Sequence, residues 1–285
     1  MERDSACLLV RPKSDIPLHK NILFHLKPFF MDKTTVSVPM RTQPAVAPPK
    51  GVTAKTPTVV PELMLYKNKR KWLSQLYEKI LLGDIIQRHK LKNEMAGRLT
   101  YKRLAETVKH PVAYNRIANL VKSTGVNTNP TSVIDYVEFA KEAFLVFSLE
   151  NYASKFTEKE TIKKHYFVDN GLLHLFLSDP ETALLENLCA IDLHPRHNDE
   201  QLWFWNRNVE VDFYLPEEKI GIQACYSTSK DITTFERELN ALISLDKVHP
   251  LDRMIIVTYD EDRIHKTESG KIIEIIPLWK WLLRA

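Results

Sequence analysis

An alternating segment in the second half of the chain carries two acidic side chains. Residues 209–213 read Val-Glu-Val-Asp-Phe, which predicts a strand with its apolar residues on one face and Glu210 and Asp212 on the other. Residues 219–226 predict the next strand, on which Gln223 faces away from the isoleucines. Because adjacent strands align their faces, we expect Asp212 to lie beside Gln223.

A third acidic residue comes from the helix predicted at Glu181–Leu193, which brings Glu186 towards Asp212. Carboxylate oxygens are the ligands that Mg²⁺ prefers, and bound Mg²⁺ activates water at a phosphodiester. The pattern therefore predicts Glu186, Asp212 and Gln223 as catalytic residues, with Asp212 and Glu186 as metal ligands if the site is active. The alternative is structural: the strand carboxylates are solvated or form ion pairs with basic residues, namely Arg207, Lys219 or Arg237.

This set of residues resembles the PD-(D/E)XK nuclease fold, which uses a helix Glu, a hairpin Asp and a third strand reading (Glu/Gln)-x-Lys. Here the third strand reads Gln223-x-Cys225. A cysteine cannot supply the fixed ammonium group of that lysine. The resemblance therefore implies a retained scaffold whose cleavage activity is lost.

Composition excludes several other kinds of site. The seven glycines include no pair five positions apart, so the chain has no P-loop, and no three lie close enough for a dinucleotide fingerprint. Three widely spaced cysteines argue against a disulfide framework or a zinc site, and they favour a reducing cytoplasm. The sequence has no run of about 18 apolar residues, so no membrane span is predicted. The net charge of +4 permits contact with nucleic acid without requiring it.

The elements that must position the acidic residues fall into three predicted regions. Residues 1–61 hold nine of the 16 prolines and predict a poorly structured arm. Residues 62–155 have helical periodicity and predict a helical, winged-helix-like domain. Residues 156–285 predict the order β-α-α-β-β-β-α-β-β, a mixed sheet with flanking helices. The predicted fold class is therefore α/β (α+β), with a restriction-endonuclease-like second half.

The helical region contains a possible recognition helix. Helices are predicted at 114–123 and 132–144, with Gly125 suited to the positive-φ exit of the first and Pro130 to the start of the second. A β-rich segment at 144–152 follows, as in a winged helix-turn-helix. If this unit binds DNA, the contacts are expected from the residues that open the second helix, Asn127, Asn129, Thr131 and Ser132.

Motifs spread over about three quarters of the chain resemble the uncharacterised C-terminal region of prokaryotic AAA-family ATP-binding proteins. These motifs include KHYFVDNGLL at 164–173, LLENL at 184–188, VEVDF at 209–213, IQACYS at 222–227 and IPLWKWLL at 276–283. In that family the region follows a P-loop ATPase and joins a winged-helix-like part to a restriction-endonuclease-like part. The first sixty residues carry no Walker motif, so the resemblance does not extend to ATP hydrolysis.

The leading expectation is a non-catalytic, cytoplasmic, DNA-associated or protein-interaction module, a truncated form of such an ATPase without its ATPase domain. Its expected partners are DNA, another protein or a second copy, without a membrane or ATP, and no cofactor is expected. The first alternative is a Mg²⁺-dependent nuclease of the PD-(D/E)XK type. The second is an ATP-binding protein with an unrecognised site.

Overall fold

The structure, a computed structural model, describes residues 68–198, 200–229 and 232–284. The predicted arm at residues 1–61 lies outside the described residues. Among the described helices, none combines the length and the apolar character needed to cross a membrane.

Four helical segments open the described chain. They are α1 (Lys69–Lys79), which continues as a π-helical segment (Ile80–Gln87), α2 (Glu94–Glu106), α3 (Tyr114–Ser123) and α4 (Pro130–Glu142). Asparagine side chains cap three of them: Asn68 accepts a hydrogen bond from the amide of Lys71, Asn93 accepts one from the amide of Ala96, and Asn129 accepts one from the amide of Ser132. The chain leaves α3 through Gly125, whose φ of 87° lies in the left-handed region that favours glycine. The predicted glycine exit is thus confirmed.

A three-stranded antiparallel sheet adjoins these helices. It consists of β1 (Val112–Ala113), β2 (Val146–Leu149) and β3 (Ile162–Phe167), in the order β1-β3-β2. The short helix α5 (Phe156–Thr161) connects β2 to β3. Because β3 pairs with both other strands, this sheet extends across the predicted domain boundary at 155/156.

A six-stranded mixed sheet forms the second half. Its elements in chain order are α6 (Asn170–His174), α7 (Glu181–Leu193), β4 (Trp203–Asn206), β5 (Glu210–Leu215), β6 (Ile220–Ala224), α8 (Ile232–Val248), β7 (Arg253–Thr258), β8 (Arg263–Lys266), β9 (Ile272–Pro277) and α9 (Leu278–Leu283). The strand order is β4-β5-β6-β7-β9-β8, in which β6, β7 and β9 run parallel and the other pairs run antiparallel. The predicted α/β (α+β) class is confirmed.

Helix α8 packs closely on β5 and β6. Leu242 and Leu245 on this helix are fully buried in one cluster with Met254 and Ile256 of β7. A Cβ atom at Gly221 would lie 3.0 Å from side-chain carbons of the helix and of the loop that follows it, so the glycine permits this close approach. Each buried leucine stabilises the fold by about 1.5–3 kcal/mol.

Several elements depart from the sequence prediction, among them the short helix α5, which was not predicted. The strand predicted at 144–152 is shorter, Val146–Leu149, because Phe144 has a φ of 52° where the chain leaves α4. The pattern missed β1, which has two residues, and β8, which has the polar sequence Arg-Ile-His-Lys. An edge strand exposed on both faces carries no alternation of apolar and polar residues, so periodicity cannot detect it.

Candidate functional site

A buried lysine lies at the centre of the acidic residues. The Nζ atom of Lys164 lies 3.0 Å from Oε1 of Glu186, 2.7 Å from Oε1 of Glu210 and 2.8 Å from Oδ1 of Asp212. The side chain of Lys164 has 0% exposure, whereas that of Glu210 is 29% exposed. We call these four residues the acid–lysine cluster.

The two sheets and one helix supply the cluster. Lys164 lies on β3 of the three-stranded sheet, Glu186 on α7, and Glu210 and Asp212 on β5 of the six-stranded sheet. The two β5 carboxylates share a face, as their spacing predicts, and both reach the same ammonium group. The cluster therefore links the two sheets through side chains.

Hydrogen bonds satisfy most of the remaining carboxylate oxygens. The amide of Ala224 donates to Oδ2 of Asp212 at 3.0 Å, and the phenol of Tyr166 donates at 2.8 Å to Oε1 of Glu186, the oxygen that also accepts from Lys164. Nδ2 of Asn206 donates to Oε2 of Glu210 at 3.1 Å. Buried charges are tolerated when they are paired and hydrogen-bonded in this way.

Gln223 is held by the backbone of the neighbouring strand. Its Oε1 accepts from the amide of Asp212 and its Nε2 donates to the carbonyl of Glu210, both at 2.9 Å. The side chain thus takes the place of a pair of sheet hydrogen bonds beyond the end of the β5–β6 ladder. Asp212 and Gln223 are adjacent, as predicted, but the amide oxygen of Gln223 is engaged with the backbone.

Cys225, at the position where the sequence resemblance predicts a lysine, is buried. Its thiol donates to the carbonyl of Ser227 at 3.2 Å, and burial raises its pKa to about 11. The thiol therefore remains protonated at neutral pH, as expected of a small buried side chain.

Burial and charge act on the cluster in opposite directions. Burial lowers the pKa of Lys164, but the charges of Asp212 and Glu186 outweigh it and hold that pKa well above its ordinary value. Burial, assisted by the charge of Asp212, raises the pKa of Glu186 to about 8. Lys164 is therefore cationic at neutral pH, and Glu186 binds a proton more readily than an exposed glutamate does.

These residues do not fit a bound Mg²⁺ ion in this arrangement. The predicted ligands Asp212 and Glu186 both hydrogen-bond to Lys164, whose ammonium group fills the space between them. Within the described ranges, no group of three or more His, Cys, Asp or Glu side chains is arranged to hold a metal ion. The cluster is an ion-pair network in which a lysine supplies the positive charge.

The alternative prediction, that the strand carboxylates form ion pairs, is correct, but it named the wrong basic partner, because Glu210 and Asp212 pair with Lys164. Of the three basic residues proposed for the strand carboxylates, Lys219 pairs with Asp252 and Arg237 with Glu238. The sequence analysis missed Lys164 and Tyr166. Lys164 and Tyr166 are two positions apart on a short strand, which indicates that they share a face. Periodicity does not indicate which distant side chains that face contacts.

The predicted DNA-contacting residues lie together at the start of α4. Asn127, Asn129 and Thr131 are exposed, and Ser132 is half-buried. Asn129 is engaged as the helix cap. Their role in binding DNA stays a prediction.

The surface around these residues is not strongly basic. Helix α4 exposes Asp135 and Glu138, and Lys141 forms an ion pair with Glu138. On α3, the exposed basic side chains are Arg116 and Lys122. The charges of the two helices therefore nearly balance, which weakens the electrostatic attraction that dominates DNA affinity.

Residues 57–182 match a family described as Domain of unknown function (DUF8612). This range contains Lys164 and ends before Glu186, Glu210 and Asp212. The chain is also similar to the uncharacterized protein MJ1544 of Methanocaldococcus jannaschii, at 29% identity over 237 residues, which is 78% of this chain and 53% of that protein. The chain thus spans about half the length of the curated relative it matches. No solved structure matches the chain.

Proposed function

We propose that this chain is a non-catalytic protein-interaction module built on a nuclease-like scaffold. The observation that carries the proposal is the full burial of Lys164 among three carboxylates at 2.7–3.0 Å. A cleavage site must admit a phosphodiester and a metal ion. In this chain Lys164 and the carboxylates neutralise one another inside the protein, so the acid–lysine cluster acts as a structural link between the two sheets.

The charge distribution favours a protein partner over DNA. Residues 68–285 carry 30 lysines and arginines against 31 aspartates and glutamates, and the excess positive charge lies in residues 1–67. DNA-binding proteins usually place clustered basic residues on the binding face, because phosphate contacts supply much of the affinity. Residues 68–285 lack that excess, and α4 exposes acidic residues at its predicted DNA face.

The element order supports the winged-helix-like and nuclease-like parts of the proposal. The order α2-β1-α3-α4-β2-α5-β3, with a β1-β3-β2 sheet, resembles that of a winged helix with the short helix α5 inserted between its last two strands. The nuclease-like part rests on the helix–hairpin arrangement of Glu186 on α7, Asp212 on β5 and Gln223 on β6. We further propose, from the motifs described above, that the module derives from the C-terminal region of an AAA-family ATP-binding protein.

The native mass of the protein in a lysate of its source organism tests this proposal. We expect the chain to elute well above its monomer mass and to stay there after treatment with DNase and RNase. In parallel, fluorescence anisotropy with duplex DNA at 150 mM salt should show no binding below 10 μM, on the order of the affinity of many non-specific DNA contacts. A complex that disappears after nuclease treatment would assign the module to DNA.

The second candidate is a Mg²⁺-dependent nuclease in which Lys164 replaces the missing third-strand lysine. The observation that favours it is the lysine ammonium beside both predicted catalytic carboxylates. Nicking of supercoiled plasmid with Mg²⁺ or Mn²⁺ separates the two proposals. Cleavage by the wild type that is lost in Asp212→Asn and kept in Glu268→Gln would establish the nuclease, and we expect none.

A further inference from the structure

A second polar constellation lies beyond the end of β6. The carboxylate of Glu261, in the loop between β7 and β8, accepts several hydrogen bonds from three consecutive residues. The hydroxyl of Ser227 and the amide of Thr228 donate to Oε1 at 2.8 Å, and the amide and hydroxyl of Ser229 donate at 3.1 and 2.8 Å. The hydroxyl of Thr228 donates to Oε2. We call the Ser227–Ser229 segment the hydroxyl loop.

The guanidinium group of Arg263 places a positive charge beside the hydroxyl loop. Nη2 of Arg263 donates to the hydroxyl of Thr228 at 2.7 Å, and Nε lies 3.7 Å from Oε2 of Glu261. The guanidinium carbon lies 4.5 Å from the ring centroid of Phe235, which fixes its position. The hydroxyl loop and Arg263 together therefore present backbone amides, hydroxyls and a cation to the Glu261 carboxylate.

These donors strongly favour a negative charge. Burial raises the pKa of Glu261, but the hydrogen bonds from Thr228, Ser227 and Ser229 outweigh it and lower that pKa to about 2. Successive backbone amides that converge on one point form a concavity that binds anions. The geometry suits an oxyanion with more acceptor oxygens and more charge than one carboxylate.

The position in the fold is the one where open α/β sheets bind ligands. The hydroxyl loop follows the carboxyl end of β6, and Glu261 follows the carboxyl end of its parallel neighbour β7. Tyr226 and Tyr259, which leave the same two strands, stack at 4.9 Å with an interplanar angle of 16°. Both tyrosines are half-buried, so an aromatic surface lies next to the donors.

We propose that the hydroxyl loop and Arg263 form a binding site for a phosphate group, which Glu261 fills in this structure. The Glu261 backbone is held by Thr258, whose hydroxyl accepts from the Glu261 amide at 3.0 Å and donates to its carbonyl at 2.9 Å. The side chain can therefore rotate away without displacing the Glu261 backbone. Phosphate then competes with an internal carboxylate for the same donors. This site is separate from the acid–lysine cluster and does not depend on whether the chain is catalytic.

Calorimetric titration with inorganic phosphate tests the proposal on the full chain. We expect Glu261→Ala to bind phosphate at least ten times more tightly than the wild type, because the internal competitor is gone. Adding Arg263→Ala should abolish that gain. The matched control is Glu268→Ala, which removes an exposed acidic residue a few positions away and should leave the affinity unchanged.

Equal affinities of Glu261→Ala and the wild type would overturn the proposal, as would the same gain in Glu268→Ala. If Glu261→Ala loses its circular dichroism signal, Glu261→Gln repeats the measurement with the side-chain size preserved, and the absence of a gain there overturns it equally. Titration with adenosine 5′-monophosphate identifies the source of the phosphate group. Tighter binding than inorganic phosphate assigns the site to a nucleotide stacked on Tyr226 and Tyr259, whereas equal binding assigns it to free phosphate.

Discussion

Nζ of Lys164 lies 2.8 Å from Oδ1 of Asp212, although the two residues are 48 positions apart and belong to different sheets. The contact joins the three-stranded and six-stranded sheets. It also places a fixed positive charge beside Asp212 and Glu186, the carboxylates predicted from the sequence as metal ligands. Whether the cluster is structural or can bind a metal ion therefore depends on whether Lys164 stays paired with Asp212.

Removal of the lysine charge should strongly destabilise the fold. In Lys164→Met the three carboxylates lose their buried partner, and breaking a buried ion pair costs about 3–5 kcal/mol of unfolding free energy. Urea unfolding followed by circular dichroism measures the loss. Lys141→Met is the control, because its ion pair with Glu138 is half-exposed and contributes less than about 1 kcal/mol. Equal, small losses in both variants would contradict a structural role for Lys164.

Glu186 should make the wild type less stable as the pH rises. Its pKa is about 8 in the fold and near 4.5 in the unfolded chain, so the fold holds an extra proton between these values. The free energy of unfolding then falls over this range, by up to about 1.4 kcal/mol per pH unit from this group. Glu186→Gln carries no such proton, so its stability relative to the wild type should increase from pH 5 to pH 8.

Calorimetric melting temperatures across that range check the prediction for Glu186. Glu268→Gln serves as the control, since its side chain is exposed. A constant difference between Glu186→Gln and the wild type at all pH values would show that the Glu186 carboxyl is ionised throughout.

His165 should contribute to unfolding in acid. Burial, assisted by the charges of Lys141 and Lys163, lowers its pKa to about 3, and its Nδ1 lies 2.9 Å from the hydroxyl of Ser148. Because the unfolded histidine takes up a proton near pH 6.5, the stability from this group is present above that value. It is lost as the pH falls from 6.5 towards 3.

Denaturant unfolding of His165→Gln at pH 7 and pH 4.5 tests this effect. The variant should lose less stability than the wild type between the two values, by about 2 kcal/mol or more. His265→Gln, on the exposed edge strand β8, should behave as the wild type does. An identical acid loss in His165→Gln and the wild type would exclude the effect.

Asn129 should matter for folding more than for DNA. Its side chain caps α4 through the amide of Ser132 at 2.8 Å, and replacing such a cap with alanine typically costs about 1 kcal/mol. Asn129→Ala should therefore lower the melting temperature, whereas Thr131→Ala, at an exposed position in the first turn, should change it little. A loss of DNA binding in both variants without a change in melting temperature would instead support the predicted recognition helix.

The sequence predicted the local parts of this fold well, because their causes are local. Asn129 and Pro130 mark a helix start through capping chemistry, and Gly125 marks an exit through its backbone freedom. The face shared by Glu210 and Asp212 follows from the two-residue period of a strand. The proximity of Asp212 and Gln223 follows from the hairpin that joins their strands.

The partner of these carboxylates could not be predicted in the same way. Lys164 meets them only because β3 pairs with β1 and β2 while α7 and β5 pack beside it, and no local pattern encodes that contact. A lysine on a short strand is exposed more often than buried, so its burial had no signature in composition or period. The edge strand β8 was missed for a related reason, since polar exposed residues fit a loop equally well.

The most direct test of the central claim, that Lys164 rather than a metal ion neutralises these carboxylates, is binding of Mn²⁺ followed by electron paramagnetic resonance. The wild type, titrated with Mn²⁺ up to 1 mM at pH 7.5, should leave the free-ion signal undiminished, and Asp212→Asn should behave identically. Stoichiometric loss of the free-ion signal in the wild type, restored in Asp212→Asn, would contradict the account.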